Sequence, residues 1–231
     1  MRYWVVMPAA GTGQRFGAAL PKQYAGLAGR RVIDWSLRLF LADVRCQGVV
    51  VAVAADDPHW PAVAAQLGNT RLSATTGGAA RCESVQRGLQ ALPAQPDDWV
   101  LVHDAARPCL SRTEVDALLS AVAGHPVGGL LALPIADTIK RADDQGDVQA
   151  TLPRERLWRA LTPQMFRYGA LGAALLAAQA RGVSPTDEAQ ALELQGHAPR
   201  LVEGSAQNIK ITTPADLAFA AAVLAGRVQA T

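Results

Sequence analysis

The run Gly48-Val-Val-Val-Ala-Val-Ala54 constrains this chain most, because a stretch with no polar side chain must be covered on both faces. Such a strand belongs in a parallel sheet with helices above and below it. Tyr3-Trp-Val-Val-Met7, Trp99-Val-Leu-Val-His103 and Gly129-Leu-Leu-Ala-Leu133 read as further strands, and Leu72 to Thr76 as a shorter one. Helices fill the gaps. Ile33, Leu37, Phe40 and Leu41 share one helix face, and Asp57 before Pro58 offers an N-cap and first position for a helix through about Gln66. A third helix is expected from about Ala80 to Ala91, and Ser111 with Glu114 forms a capping box for a fourth, to about Ala123. The alternation predicts an α/β fold with a doubly wound, mostly parallel sheet, whose ligands sit beyond the carboxyl ends of the strands. The loops at Ala9, Gly77 and Asp104 all fall at that edge.

After Pro134 the pattern changes. Ala136 to Arg141 and Val148 to Leu152 flank a polar Ala-Asp-Asp-Gln-Gly-Asp, which reads as a projecting β-hairpin over about 136–152. Trp158 to Gln164 follows, then a helix around Ala170 to Ala180 and another opening at Ser184-Pro-Thr186-Asp187-Glu188. A strand is expected at Pro199 to Glu203, and Thr213-Pro214 caps a closing helix. With no repeat and no linker, a single domain over 1–231 is the simplest organisation. Half of the 231 residues are hydrophobic and the formal charge is only +2, which gives no support for nucleic acid or an anionic membrane as partner. Cys46, Cys82 and Cys109 suggest neither disulfides nor zinc and read as buried small hydrophobes. No basic n-region opens the chain and no apolar run reaches the roughly 18 residues that span a bilayer, so a cytoplasmic location is expected.

Function points to the first loop. Pro8-Ala9-Ala10-Gly11-Thr12-Gly13-Gln14-Arg15-Phe16-Gly17 ends the first strand, and Pro21-Lys22-Gln23-Tyr24 follows. Glycines let successive N–H groups point into one concavity and hold anionic oxygens, while Arg15 and Lys22 add full charges. It is not a dinucleotide fingerprint, since the third glycine falls one place late at Gly17, nor a Walker A loop, since Gln23 follows Lys22. There is no G-x-S-x-G elbow, and His59, His103, His125 and His197 lack metal spacing. Asp104 and Asp187 suit acid–base work and equally suit caps or turns. Arg15, Lys22, Arg81, Arg107, Arg154 and Lys210 sit beside glycine, proline or turn signals. Spacing alone does not separate convergence on phosphates from dispersal over the surface.

Several motifs together are more specific: the Pro8 to Arg15 loop with Pro21-Lys-Gln-Tyr24, Gly77-Gly78 with Arg81 and Ser84-Val85, Val102-His-Asp-Ala-Ala-Arg-Pro108, Asp137-Thr138-Ile-Lys140, Leu161-Thr-Pro-Gln164, Thr186-Asp-Glu-Ala189 and Asn208-Ile-Lys210. In this order they resemble the 2-C-methyl-D-erythritol 4-phosphate cytidylyltransferases of the non-mevalonate isoprenoid pathway, from residue 3 to about 224, leaving no room for a fused second enzyme. Ala79-Ala80 departs from the polar residues that relatives often carry there. The resemblance implies that CTP and the sugar-alcohol phosphate react with release of pyrophosphate. It gives Arg15 and Lys22 the stabilisation of the transition state, and Gly11, Thr12, Gly13 and Mg²⁺ the triphosphate. Ala9, Ala10, Gly77 and Ser84 would read cytosine, with Pro8, Gly78 and Arg81 completing the nucleotide site. Asp104, Ala105 and Ala106 would lie near the ribose and the metal, the metal being held mainly by phosphates. Arg107, Thr138, Arg154, Thr162, Thr186 and Lys210 would meet the second substrate. The hairpin would be an arm embracing the other subunit of a homodimer, carrying Thr138 and Arg154 to the neighbour's site.

Overall fold

The computed structural model of the protein describes residues 1–11, 16 and 20–228. The chain opens with β1 (Tyr3–Pro8), a single 3-10 turn at Lys22–Tyr24, and the short pair β2 (Gly26–Leu27) and β3 (Arg30–Arg31). Then come α1 (Val32–Leu41), β4 (Cys46–Val53), α2 (Trp60–Leu67), β5 (Leu72–Thr76), α3 (Arg81–Gln90), β6 (Trp99–Val102), α4 (Arg112–Val122) and β7 (Gly128–Pro134). The remainder comprises β8 (Ile139–Ala142), β9 (Val148–Leu152), β10 (Trp158–Arg167), α5 (Tyr168–Ala180), α6 (Glu188–Glu193), β11 (Arg200–Glu203) and α7 (Pro214–Val228).

Seven strands form the main sheet in the order β11-β7-β10-β6-β1-β4-β5. β10 is antiparallel to both neighbours, β6 and β7, and every other pairing in this sheet is parallel. Alternation along the strands divides the core between the two faces. Tyr3, Val5 and Met7 of β1 join Ile33, Leu37 and Phe40 of α1 and Leu118 of α4, whereas Val6 joins Val85 and Leu89 of α3 and Leu171 and Ala174 of α5. Burying one such large side chain is worth about 1.5–3 kcal/mol. The α3 contact is close because Gly88 faces Val6. A Cβ at position 88 would lie 2.5 Å from Val6 Cγ1, so even alanine would force the helix off the strand.

The sequence-based elements hold with instructive exceptions. α2 begins at Trp60 rather than beside Asp57: His59 is its N-cap, a proline stands in its first turn, and the Asp57 carboxylate caps the preceding turn by accepting from the His59 and Trp60 N–H groups. α6 begins at Glu188, not Ser184, because the Asp187 side chain accepts from Gln190 N–H and sets the start there. Trp158 to Gln164, which carries no legible period, belongs to the antiparallel strand β10. Its register is interrupted between Ala160 and Gln164, where the Thr162–Pro163 peptide is cis. Cys46 and Cys109 are buried as expected, but Cys82 is only half-buried in the first turn of α3. The hairpin is present as β8 paired with β9 in a sheet of its own, with most of its residues exposed. No described helix is long and apolar enough to cross a membrane.

Candidate active site

β1 and β6 lie side by side in parallel, yet the next sheet strand after β1 is β4 on one side, and after β6 it is β7 on the other. Diverging connections open a crevice at the carboxyl ends of such a pair. A cleft occurs there, lined by Pro8, Ala9, Ala10 and Gly11 after β1, by Lys22 and Gln23, by Gly78 to Arg81 and Ser84, by Asp104 to Ala106 after β6, and by Lys210.

Side chains behind the walls hold their backbone in shape. Gln23, only 4% exposed, donates its amide to the carbonyls of Ala9 (2.7 Å) and Gly11 (3.4 Å), fastening the 3-10 turn that carries Lys22 to the start of the glycine loop. Tyr24 anchors the same turn by donating to Asp57 at 2.7 Å. The opposite wall is clamped by α3. Ser84 Oγ accepts from Gly78 N–H, Glu83 accepts from Ala79 N–H, and Arg87 donates to the Gly77 carbonyl. The two walls nearly touch, since a Cβ on Gly77 would stand 2.5 Å from the Ala10 Cβ and 2.8 Å from Ser84 Oγ. A side chain at position 77 would thus push the walls apart.

The floor is an ionic cluster around Asp104. Its Oδ1 accepts from Arg81 Nε at 3.0 Å, its Oδ2 from Lys210 Nζ at 2.8 Å, and Arg107 Nε stands 3.5 Å from Oδ2. Burial alone would raise this carboxyl, but Arg81, Lys210 and Arg107 outweigh it and hold Asp104 far below the ordinary carboxylate range. Arg81 is in turn gripped by Glu188, whose Oε1 and Oε2 accept from Nη1 (2.6 Å) and Nη2 (3.1 Å). Burial opposes the charge on Arg81; the two carboxylates more than restore it. Beneath Asp104 lies His103, fully buried and lowered by that burial to about 4, hence neutral at pH 7. Its tautomer follows from its partners. Nε2 faces the Arg107 carbonyl at 3.1 Å and must donate, so Nδ1 accepts from the Thr162 hydroxyl at 2.9 Å, whose oxygen in turn accepts from Asp104 N–H at 3.1 Å. Asn208 closes this layer, its side-chain amide donating to the Thr162 backbone carbonyl at 2.8 Å while its backbone carbonyl accepts from Arg107 Nη1 at 2.7 Å.

Of the residues singled out from sequence, Pro8, Ala9, Ala10, Gly11, Lys22, Gly78, Arg81, Ser84, Asp104, Ala105, Ala106 and Lys210 line the cleft, and Gly77 backs it. Arg107 and Thr162 lie in the buried layer below, with 8% and 4% of their surface exposed. Thr138, Arg154 and Thr186 are exposed and do not line this cleft. Arg154 donates to the Ala136 carbonyl, and Thr186 bonds Gln190 through its N–H and hydroxyl. Thr12, Gly13 and Arg15 fall outside the described residues. Sequence reasoning assigned no role to Gln23, Ala79 and Ala80 in the lining, or to His103, Gln164, Glu188 and Asn208 behind it. Gln23, Gln164, Glu188 and Asn208 are common polar residues in a turn, a strand, a helix start and a loop; only their burial distinguishes them.

The family model for 2-C-methyl-D-erythritol 4-phosphate cytidylyltransferase matches residues 3–226. A protein of that name from Dechloromonas aromatica (strain RCB) is 52% identical over 229 residues, 98% of this chain and 99% of its own. One from Pseudomonas aeruginosa (strain UCBPP-PA14) is 53% identical over 218 residues, 93% of each chain. The crystal structure of the Francisella tularensis protein of that name superposes with a TM-score of 0.83 at 34% identity, covering 96% of this chain and 100% of the other.

Proposed function

Since this chain belongs to the 2-C-methyl-D-erythritol 4-phosphate cytidylyltransferase family, a group of nucleotidyltransferases in isoprenoid precursor biosynthesis by the non-mevalonate pathway, we propose that the cleft between β1 and β6 is where CTP meets the sugar-alcohol phosphate. An oxygen of the acceptor phosphate attacks the α-phosphorus of CTP, the bond to the bridging oxygen of the β-phosphate breaks, and pyrophosphate leaves. The product is 4-diphosphocytidyl-2-C-methyl-D-erythritol. The attacking phosphate is mostly dianionic at neutral pH and needs no general base, so the protein contributes alignment and charge. One observation carries the reading: a crevice at the strand ends is lined by Lys22, Arg81 and Lys210 and, among the described residues, by one carboxylate, Asp104.

In this proposal Arg15 and Lys22 stabilise charge on the α-phosphoryl group, and the backbone of Gly11, Thr12 and Gly13 cradles the triphosphate. The closely set walls of Ala9, Ala10, Gly77 and Gly78 admit a pyrimidine, with Ser84 beside it. Lys210 faces the acceptor phosphate, and Arg107 adds its charge from the buried layer behind it. Thr162, whose hydroxyl is committed to His103 and Asp104 N–H, serves by holding the Asp104 loop. The described residues do not fit a resident metal. No group of three or more His, Cys, Asp or Glu side chains is placed to hold one, and Asp104 is already bound by Lys210 and Arg81. Mg²⁺ would instead arrive with the triphosphate and neutralise part of its charge, Asp104 being the one carboxylate among the described lining residues. Thr138 and Arg154 do not line their own chain's cleft. Their place on the projecting hairpin supports a homodimer in which they, with Thr186, complete an acceptor site. A cytoplasmic location and a single domain spanning the chain accord with this chemistry.

The test incubates the protein with CTP, Mg²⁺ and a panel of polyol phosphates and follows pyrophosphate. Release is expected with 2-C-methyl-D-erythritol 4-phosphate. Faster release with ribitol 5-phosphate would reassign the acceptor, and none with any acceptor would reject the activity.

A further inference from the structure

Glu188 is a carboxylate only 1% exposed that the proposed reaction does not use. Its position is fixed from both sides. Gln164 Nε2 donates to Asp187 Oδ2 at 2.9 Å, and Gln164 Oε1 accepts from Ala189 N–H at 2.9 Å, so one side chain of β10 ties down both neighbours of Glu188. A buried ion pair is a weak source of stability compared with apolar packing, which leaves its presence beside the cleft to be explained otherwise. The explanation lies in how donors and acceptors are shared out. Arg81 spends Nη1 and Nη2 on Glu188 and Nε on Asp104 Oδ1, and this leaves Asp104 Oδ2 to bond Lys210 Nζ at 2.8 Å, with Arg107 Nε farther off at 3.5 Å.

Without Glu188, the carboxylate still paired with Arg81 among the described residues is Asp104. An arginine prefers to hold a carboxylate by two parallel bonds, so Arg81 would take both Asp104 oxygens and displace the lysine. We propose that Glu188 is a positioning residue: it divides Arg81 between two carboxylates so that Asp104 keeps one oxygen for Lys210, and thereby sets where Lys210 stands at the acceptor side of the cleft. The last clause rests on the function proposed above; the positioning itself does not.

The test reads Lys210 directly. Free protein, without substrates, is treated with a limiting N-hydroxysuccinimide ester of acetic acid at fixed pH, and acetylation at Lys210 is followed by peptide mass spectrometry. Glu188→Gln should acetylate Lys210 at least threefold faster than the parent, approaching the rate of Asp104→Asn, which removes the charge that holds the ammonium. Glu188→Asp keeps the charge but cannot reach both nitrogens; it should fall between, and it carries the test if the glutamine variant does not fold. In an Arg81→Lys background, which removes the two-bond option, Glu188→Gln should add nothing. Unchanged acetylation in folded Glu188→Gln, or an equal acceleration in the Arg81→Lys background, would overturn the proposal. The acceptor KM is measured alongside. A freed Lys210 with unchanged KM would leave the positioning intact and refute instead the acceptor role of Lys210.

Discussion

Lys22 and Gln23 are adjacent and do opposite kinds of work. Lys22 presents a charge to the cleft, while Gln23 is turned inward to hold the carbonyls of Ala9 and Gly11. The first role was legible in sequence because a lysine closing a glycine loop has few other reasons to be there. The second was not, because nothing in a glutamine announces that its amide will be buried. Glu188 and His103 were overlooked for the same reason: a helix-opening glutamate and a strand-end histidine are common, and only long-range partners at Arg81 and Thr162 make them particular. For Lys22 we expect Lys22→Ala to fold normally and lose about 10² or more in kcat, since a charge aimed at a developing oxyanion is worth roughly 3 to 4 kcal/mol. Steady-state rates with a melting curve check this, and a rate within threefold of the parent would contradict it.

Among the elements, the strands were the easiest to read and β10 the hardest. Apolar runs marked β1, β4, β6 and β7 as strands, β4 as one covered on both faces, whereas β10 carries Thr162, Pro163 and Gln164 in its middle, where polar groups are tolerated because the Asp104 loop and α6 satisfy them. A second buried polar set binds elements at the far end of the sheet. Asp43, 1% exposed, accepts from Tyr3 of β1 at 2.5 Å and from Arg45 before β4 at 2.9 Å, and pairs with Arg112 of α4 at 3.0 Å. Burial would raise its pKa, yet the Arg45 and Tyr3 hydrogen bonds bring it down to about 2 from 3.8. A carboxyl depressed on folding contributes stability above its unfolded pKa and loses it as pH falls through the folded one. The expected contribution, roughly 2 kcal/mol, should disappear between about pH 4 and pH 2. Urea unfolding across that window should show a steeper decline for the parent than for Asp43→Asn. Parallel curves would contradict the assignment.

At the scale of the whole molecule, the order of strands explains where the chemistry lies. Because the chain leaves β1 toward β4 and leaves β6 toward β7, loops far apart in sequence meet at one crevice, and Lys210, late in the chain, reaches Asp104 after β6. The α/β class and this edge were readable from the alternation alone; the depth of the ionic floor was not, since it depends on α6 and β10 packing beneath it. The proposed homodimer would add a further level of assembly. If a dimer shares its sites, Lys22→Ala and Arg154→Ala proteins, each nearly inactive alone, should regain about a quarter of parental activity when co-folded in equal amounts, because half the dimers are then mixed and each mixed dimer keeps one intact site. Verified mixed dimers without recovery would reject the shared site. The central claim, transfer of a cytidylyl group in this cleft, is tested most directly by the fate of the α-phosphorus of CTP. With label at that atom, Mg²⁺ and 2-C-methyl-D-erythritol 4-phosphate, all label released from CTP should appear in the organic diphosphate product, matched mole for mole by unlabelled pyrophosphate. Label appearing as CMP without acceptor, or CTP bound but unchanged with the acceptor present, would contradict the account.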